Sequence, residues 1–152
     1  MSEQKYVIFS IENNKYAFSI DKVERILHQV ACTPIPRAPK LLMGVFELRG
    51  ETIPALSLRQ RFGFNATTNE GNFIIVHSSA GRYAIQCDEV LGIIQAEDSC
   101  IESAPDLALE SDDFIEGILK FDNNLHVVLD VNEVVPASLR KKISQFQLQE
   151  VA

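Results

Sequence analysis

The sequence contains no tryptophan and few residues of the kinds that catalyse reactions or bind metals. Its three cysteines include no Cys-x-x-Cys pair, which argues against a zinc site, and their odd number argues against a disulfide framework. No two of its three histidines stand at metal-ligand spacing, and no nucleotide-binding or hydrolase motif occurs. These residues are Cys32, Cys87, Cys100, His28, His77 and His126. We therefore expect no cofactor, no metal and no enzymatic activity.

Long hydrophobic runs are also missing. No apolar stretch approaches the roughly 18 residues that a membrane-spanning helix needs. The first five residues are polar, a predicted strand begins at Tyr6, and nothing there resembles a signal peptide. We expect a cytoplasmic protein without a membrane-inserted segment.

Positive charge is scarce. The chain has 14 Lys and Arg against 21 Asp and Glu, a net charge of −7. This balance argues against binding to nucleic acid or to an anionic membrane. The acids concentrate in residues 97–116, where Lys and Arg are absent, whereas basic residues outnumber acids in residues 37–61. The acidic run is typical of a solvated loop, and the alternative is a surface that steers a basic partner.

What the sequence does have is an internal repeat. Residues 6–27 align without a gap on residues 73–94, and residues 44–58 align, at a slightly larger offset, on residues 117–131. A copy of roughly 65–70 residues buries little surface by itself, so we expect the two copies to pack together. The seam between them is a natural binding place. Identical pairs include Tyr16 with Tyr83, Ala17 with Ala84, Asp21 with Asp88, Val23 with Val90, and Gly44 with Gly117.

Short apolar stretches separated by turn residues predict a mainly β protein made of two small barrels. Predicted tight turns lie at residues 12–15, 49–50, 78–81 and 122–124. Asp21 and Asp88 are expected to hold equivalent turns through hydrogen bonds to the backbone. Short helices are predicted at residues 39–43, 58–62 and 138–148, the last amphipathic.

A single domain of residues 1–152 is predicted to contain both barrels. The first barrel would span about residues 14–66 and the second about residues 70–135, with a polar linker at residues 65–72. A short C-terminal helix would follow at about residues 138–148. The termini could cross between the barrels. Residues 99–113, around Pro105, are predicted to form an irregular loop.

One stretch carries a recognisable motif. Residues 42–58, LMGVFELRGETIPALSL, resemble the signature of the CheW-like domain, whose pattern is approximately G-V-x-N-L-R-G-x-x-x-P-V-x-D-L. Residues 16–23, 83–92 and 125–130 also look like this family, so the resemblance covers almost the whole chain in order. The residues that match the signature are Gly44, Val45, Leu48, Arg49, Gly50, Pro54 and Leu58.

The resemblance implies two packed five-stranded SH3-like barrels with short helices. It also implies a non-enzymatic adaptor of bacterial chemosensory arrays, without a cofactor. Such a protein couples the cytoplasmic tip of a chemoreceptor, a methyl-accepting protein, to the CheW-like regulatory domain of a sensor histidine kinase. One barrel would meet the kinase's barrel, and a receptor helix would lie in the groove between the barrels.

Eight residues are predicted to couple the receptor and the kinase, and two of them depart from the family pattern. The family usually has Asn where this chain has Glu47. It often has Glu, able to pair with the signature arginine, where this chain has Arg25. We hypothesise that Glu47 and Arg25 form a relocated polar pair near Arg49. The predicted coupling residues are Val23, Arg25, Ile26, Val45, Glu47, Leu48, Arg49 and Gly50.

Three alternatives stay open at the level of the sequence. The adaptor could serve a pilus-motility or other non-flagellar pathway, which the departures at residues 25 and 47 make plausible. A small nucleic-acid-binding barrel would need a basic face with stacking aromatics, which the net charge disfavours. A small-molecule sensor would need a deep, closed pocket between the barrels.

Overall fold

The computed structural model describes residues 3–65, 71–103 and 114–151, and it confirms a mainly β fold with two sheets and a C-terminal helix. Most of the predicted linker, and residues 104–113 of the predicted irregular loop, lie outside the described residues. The strands are β1 (Glu3–Ile11), β2 (Asn14–Ser19), β3 (Val23–Leu27), β4 (Leu42–Leu48), β5 (Glu51–Ser57), β6 (Asn72–Ser78), β7 (Gly81–Cys87), β8 (Glu89–Glu97), β9 (Ile101–Ser103), β10 (Ile115–Phe121) and β11 (Asn124–Leu129); the helices are α1 (Leu58–Arg61) and α2 (Ala137–Val151).

The predicted hairpin turns are confirmed, and their backbone explains the residues found there. Glu12 and Asn13 join β1 to β2 with φ of 52° and 65°, and Asp122 and Asn123 join β10 to β11 with φ of 52° and 62°. Positive φ at both central residues matches the twist of an antiparallel hairpin, and Asn and Asp tolerate it better than most residues.

The two sheets exchange hairpins between the copies of the repeat. The six-stranded sheet has the order β8-β1-β2-β11-β10-β9, and the five-stranded sheet has the order β3-β6-β7-β5-β4. The overlay of the repeat equates β1, β2 and β3 with β6, β7 and β8, and β4 and β5 with β10 and β11. Each sheet therefore combines the first hairpin of one copy with later strands of the other, which are β8, β9, β10 and β11 in the six-stranded sheet and β3, β4 and β5 in the five-stranded sheet.

The pairing registers agree with the repeat residue by residue. Ala17 lies opposite Val128 in the parallel pair of β2 and β11, and the equivalent residues Ala84 and Ala55 lie opposite each other in β7 and β5. The irregularity between β1 and β8 also recurs at the equivalent place between β3 and β6. The internal repeat of the sequence therefore corresponds to a repeat of strand pairing in the structure.

The sheets do not follow the predicted boundaries at residues 14–66 and 70–135. Strands β6 and β7 pair with β3 and β5 instead of joining the later strands, and β1 pairs with β8 near the middle of the chain. The five-stranded sheet is thus built from residues 23–87. The second sheet has six strands instead of the predicted five because β9 pairs with β10, whereas its counterpart beside β4 is a single bridge between Thr33 and Val45.

One hydrophobic cluster joins the two sheets and α2. Phe9 and Phe18 of the six-stranded sheet, Tyr83 of the five-stranded sheet, and Leu139 and Ile143 of α2 are all buried in it. Burial of this shared apolar surface explains why neither copy stands alone. The predicted helices at residues 58–62 and 138–148 are confirmed as α1 and α2.

The helix predicted at residues 39–43 is wrong, because β4 begins at Leu42 and the preceding residues form only a turn. Gly44 lies inside that strand with a φ of 142°, at an irregularity between β4 and β5. A side chain there would overlap the carbonyl of Thr33, which accepts a hydrogen bond from Val45 N at 2.9 Å. The glycine therefore permits a close approach of two backbone segments instead of ending a helix.

Candidate partner-binding surface

The eight predicted coupling residues lie in two strands of the five-stranded sheet and in the turn that follows one of them. Val23, Arg25 and Ile26 belong to β3 at one edge of that sheet, and Val45, Glu47 and Leu48 belong to β4 at the other edge. Arg49 and Gly50 form the turn between β4 and β5, with φ of 53° and 82°. The structure thus divides the predicted residues between two edges of one sheet.

Arg82 of the central strand β7 connects the two sides. Its guanidinium lies 3.0 Å from both carboxylate oxygens of Glu24, the neighbour of Arg25, and it also pairs with Glu51, the neighbour of Gly50. His77 Nε2 lies 3.1 Å from the same Glu24 carboxylate. A charged network therefore runs across the sheet from β3 to the β4–β5 turn.

Sequence reasoning missed Arg82 because the residue belongs to no motif. The repeat held the available signal, since the overlay matches Arg82 with Lys15 and so places a cation at the same point of both hairpins. The two acids that flank it in space come from β3 and β5, which are far apart in the chain. Their convergence depends on the exchange of hairpins.

The predicted pair of Glu47 and Arg25 is not formed. Among residues 3–65, 71–103 and 114–151, no ion pair joins Glu47 to Arg25 or to Arg49. The reason is the sheet order, which sets β3 and β4 at opposite edges. Glu24, on the irregular part of β3, takes the role of the acid, and its partner is Arg82.

The apolar members of the predicted set differ in how open they are. Ile26 is 40% exposed, which makes it an accessible hydrophobic side chain on an edge strand. Val23 packs partly against the cluster between the sheets, and Leu48 packs partly against a smaller cluster inside the five-stranded sheet. Ile26 is therefore the apolar side chain of this set most available to a partner.

The seam between the copies is packed over much of its length. The shared cluster and α2 occupy it, with Val134 and Val135 fully buried there. The expected binding place in the seam is therefore largely a common core.

The histidines have structural surroundings. His77 pairs with Glu24, and His28 Nδ1 lies 3.4 Å from the side-chain amide of Asn72. His126 is 4% exposed, and burial lowers its pKa, so that its ring is neutral near pH 7.

Within the part of the chain that the structure describes, no group of three metal-binding side chains converges. No helix formed by the described residues is long and apolar enough to cross a membrane.

The matched aspartates do not hold equivalent turns as predicted. Asp21 accepts hydrogen bonds from the side chains of Ser19 and Gln4, whereas Asp88 pairs with Arg59 of α1 and accepts the backbone N–H of Glu12. Asp88 thus ties distant segments together, and its partners come from the opposite copy of the repeat.

Comparison with known proteins supplies the remaining observations. The family model described as CheW-like domain matches residues 5–138. The Bacillus subtilis protein named Chemotaxis protein CheW is 30% identical over 135 residues, covering 87% of this chain and 86% of the relative. The Thermotoga maritima protein of the same name is 27% identical over 139 residues, covering 89% of each chain. The crystal structure of scaffolding protein TtCheW from Thermoanaerobacter tengcongensis superposes with a TM-score of 0.82 at 27% identity, covering 90% of this chain and 94% of that one.

Proposed function

The chain belongs to the CheW-like domain family, and from that premise we propose that it couples the cytoplasmic tip of a chemoreceptor to the CheW-like regulatory domain of a sensor histidine kinase. It is an adaptor in chemotaxis signalling, in keeping with relatives named for chemotaxis and a structural neighbour described as a scaffolding protein. The proposed location is the cytoplasm, where the receptor tips lie. The proposed mode of action is binding without catalysis.

The observation that best supports a coupling role is a set of accessible groups on the five-stranded sheet. The charged network of Arg82 and the Arg49–Gly50 turn belong to this sheet, and so does an exposed Ile26 on the edge strand β3, which lies in the row of Ile74 and Ile85 and not in that of His77 and Arg82. Edge strands offer unpaired backbone groups, and an apolar side chain beside charged ones gives both affinity and orientation. We name this set the β3–turn surface.

The mechanism we propose is geometric. A protein that holds two partners at fixed relative positions changes the kinase's equilibrium between states only if it binds one state more tightly. The shared core and the exchanged hairpins make the two halves of this chain a single rigid bridge, because each sheet contains strands from both copies. Reversible signalling contacts of modest area suit such a role.

The test is calorimetric titration of the whole chain with a cognate kinase regulatory domain and, separately, with a receptor tip fragment. Arg49→Ala and Ile26→Ser should each weaken binding of at least one partner by about tenfold. Leu125→Ser is the matched control, because Leu125 is 63% exposed but lies on the six-stranded sheet. Circular dichroism should find all three variants folded.

Two results would remove the proposal. The first is a wild-type chain that binds neither partner. The second is a pair of variants, Arg49→Ala and Ile26→Ser, that bind both partners as tightly as Leu125→Ser does, since the β3–turn surface would then have no part in coupling.

A further inference from the structure

A polar pocket of about 220 Å³ lies at the end of the six-stranded sheet away from the β1–β2 and β10–β11 turns. Strands β1 and β10 begin there, and strands β2 and β11 end there, because each hairpin sets the start of one strand opposite the end of the other. The turn between β8 and β9 closes one side. The polar side chains that line the pocket are those of Gln4, Tyr6, Ser19, Asp98 and Glu116.

The pocket contains a tyrosine hydroxyl without a hydrogen-bond partner. Tyr6 is only 4% exposed and belongs to the small core cluster of the six-stranded sheet, yet its hydroxyl makes no hydrogen bond to any residue that the structure describes. Burial raises its pKa, and the nearby carboxylates of Asp98, Glu116 and Asp21 raise it further. The hydroxyl is therefore protonated near pH 7, lies close to three acids and is available to a ligand in the pocket.

Glu116 is a carboxylate without an ion pair beside this hydroxyl. Its pKa is raised mainly by burial and further by Asp130 and Asp21, whereas Lys22 acts in the opposite direction without cancelling them. No Lys or Arg in the described ranges forms a salt bridge with it. Asp98 already has a further interaction of its own, so Glu116 is the lining carboxylate whose charge is available to a ligand.

A hydrogen-bond network fixes the neighbouring acid, Asp21. Gln4 Nε2 donates to Ser19 Oγ at 2.6 Å and to Asp21 Oδ1 at 3.3 Å, and Ser19 Oγ also donates to Asp21 Oδ1. Both donors line the pocket. The negative charge of Asp21 is thus held in place before any ligand arrives, which lowers the ordering cost of binding.

The internal repeat shows that the fold does not require these polar groups. By the overlay Tyr6 corresponds to Phe73, and Glu116, one residue before the second aligned stretch, corresponds to Met43. Phe73 is fully buried, and Met43 packs partly against the same cluster inside the five-stranded sheet. An apolar pair therefore suffices at the equivalent end of the other sheet, and the hydroxyl and the carboxylate are specific to this pocket.

The arrangement of the acceptors favours an organic cation. Residues 97–116 contain acids and no Lys or Arg, and Asp98 and Glu116 stand at or near the two ends of that run, so the pocket attracts positive charge. Where the structure describes the chain, no three acids converge closely enough to hold one metal ion. Acceptors spread around a pocket suit a planar guanidinium, with five N–H donors in a fixed fork, better than a compact ammonium group.

We propose that this pocket binds the guanidinium group of an arginine side chain presented by a partner protein. Glu116 neutralises the charge of the guanidinium, the Tyr6 hydroxyl accepts one of its N–H groups, and Asp21 adds to the attraction. Free arginine fits less well, because its own carboxylate meets the acids around the pocket. The pocket lies on the other sheet from the β3–turn surface, so this site is additional to the proposed coupling contact.

The test is a titration of the isotope-labelled whole chain, followed by NMR, with blocked amino acids as probes. N-acetylarginine methylamide carries the guanidinium without a charged backbone, and N-acetylcitrulline methylamide is its uncharged isostere. We expect the arginine probe to bind with a dissociation constant of about 5 mM and to shift the amide signals of Tyr6, Ser19 and Gly117. The citrulline probe should bind about tenfold more weakly, and free arginine about threefold more weakly.

Protein variants test the assignment of the residues. Glu116→Gln should weaken the arginine probe by about tenfold, and Tyr6→Phe, which inserts the residue of the other copy, by about threefold. Glu89→Gln is the matched control and should leave the affinity unchanged, because Glu89 is also an exposed acid but lies at the end of β8 away from the pocket. Urea unfolding midpoints check that all three variants fold.

Four outcomes would overturn the proposal. One is the absence of saturable shifts with the arginine probe up to about 50 mM. The second is equal affinity for the citrulline probe, since the positive charge would then not be recognised. The third is tighter binding of free arginine, which would point to a small-molecule ligand instead of a partner's side chain. The fourth is equal affinity of Glu116→Gln and Glu89→Gln for the arginine probe. None of these outcomes bears on binding at the β3–turn surface.

Discussion

Arg59 holds Asp88 through two parallel hydrogen bonds, Nε to Oδ1 and Nη2 to Oδ2, each 2.7 Å long. The same guanidinium pairs with Glu12 in the β1–β2 turn, whose N–H donates to Asp88 at 2.9 Å. Asp88 lies between β7 and β8, where the chain passes from the five-stranded to the six-stranded sheet. This clasp therefore joins the two sheets at the point of exchange, and a two-pronged contact suits arginine better than lysine.

Removing the arginine should destabilise the fold. Arg59→Ala leaves Asp88, 27% exposed, without its cation, and we expect the free energy of unfolding to fall by about 2 kcal/mol, below the cost at a fully buried pair. Lys120→Ala is the control, because Lys120 and Glu102 form a pair with 58% and 59% exposure, worth about 0.5 kcal/mol or less. Urea unfolding at pH 7 measures both. Equal losses in the two variants would contradict the clasp.

The clasp should also make stability depend on pH. Burial would raise the pKa of Asp88, but the hydrogen bonds from Arg59 and Glu12 N outweigh it and hold the pKa below its ordinary value of 3.8. A lowered folded-state pKa means that the stabilisation is fully present above the unfolded-state value and is lost as pH falls through the folded one. The difference in unfolding free energy between wild type and Asp88→Asn should therefore shrink below about pH 4. A difference that stays constant with pH would argue that the charge of Asp88 contributes nothing.

The close approach at Gly44 should make a side chain there costly. Gly44→Ala would drive a Cβ into the Thr33 carbonyl, and we expect a loss of about 3 kcal/mol. Gly92→Ala is closely matched, since its φ of 151° resembles the 142° of Gly44 but its Cβ would meet nothing within 4 Å. That variant should lose about 1 kcal/mol from the backbone conformation alone. Thermal unfolding of Gly44→Ala and Gly92→Ala separates the cost of the collision with the Thr33 carbonyl from the cost of backbone strain. Similar losses of unfolding free energy in the two variants would show that no close approach exists at Gly44.

The equivalent tyrosines should differ in what their hydroxyls contribute. Tyr83 is fully buried and its hydroxyl donates to Val131 O at 2.6 Å, so Tyr83→Phe should lose about 1 kcal/mol of unfolding free energy. Tyr16 is half-buried at an open groove that Phe62 also lines, and its hydroxyl has no hydrogen bond to any described residue. Tyr16→Phe should therefore be nearly neutral. Chemical denaturation of both variants measures their free energies of unfolding. Equal losses in the two variants would contradict the difference between the two hydroxyls.

The candidate surface was partly predictable. The motif around Arg49 and Gly50 lies on the five-stranded sheet that carries the proposed surface, and the turn there follows from an Arg-Gly pair between two apolar stretches. The partnership of Arg82 with Glu24 and Glu51 was not predictable, because the three residues lie on strands that meet only after nonlocal pairing. The expected pair of Glu47 and Arg25 failed for the same reason, since the order of strands across the sheet is absent from the local pattern.

The sequence by itself determined the strands, the hairpin turns and the repeat, because these depend on residues close together in the chain. Positive-φ positions such as Asn13 and Asn123 and the alternation of apolar residues suffice for each hairpin. The tertiary structure alone decided which hairpin joined which sheet. The copies carry like residues at their pairing edges, as with Val23 and Val90, so the pattern cannot distinguish pairing within a copy from pairing between copies. Burial of the shared core selected the exchange of hairpins between the sheets. That exchange also produced the Arg59–Asp88 clasp, the packing of α2 on β5 and β7, and the open groove lined in part by Phe62.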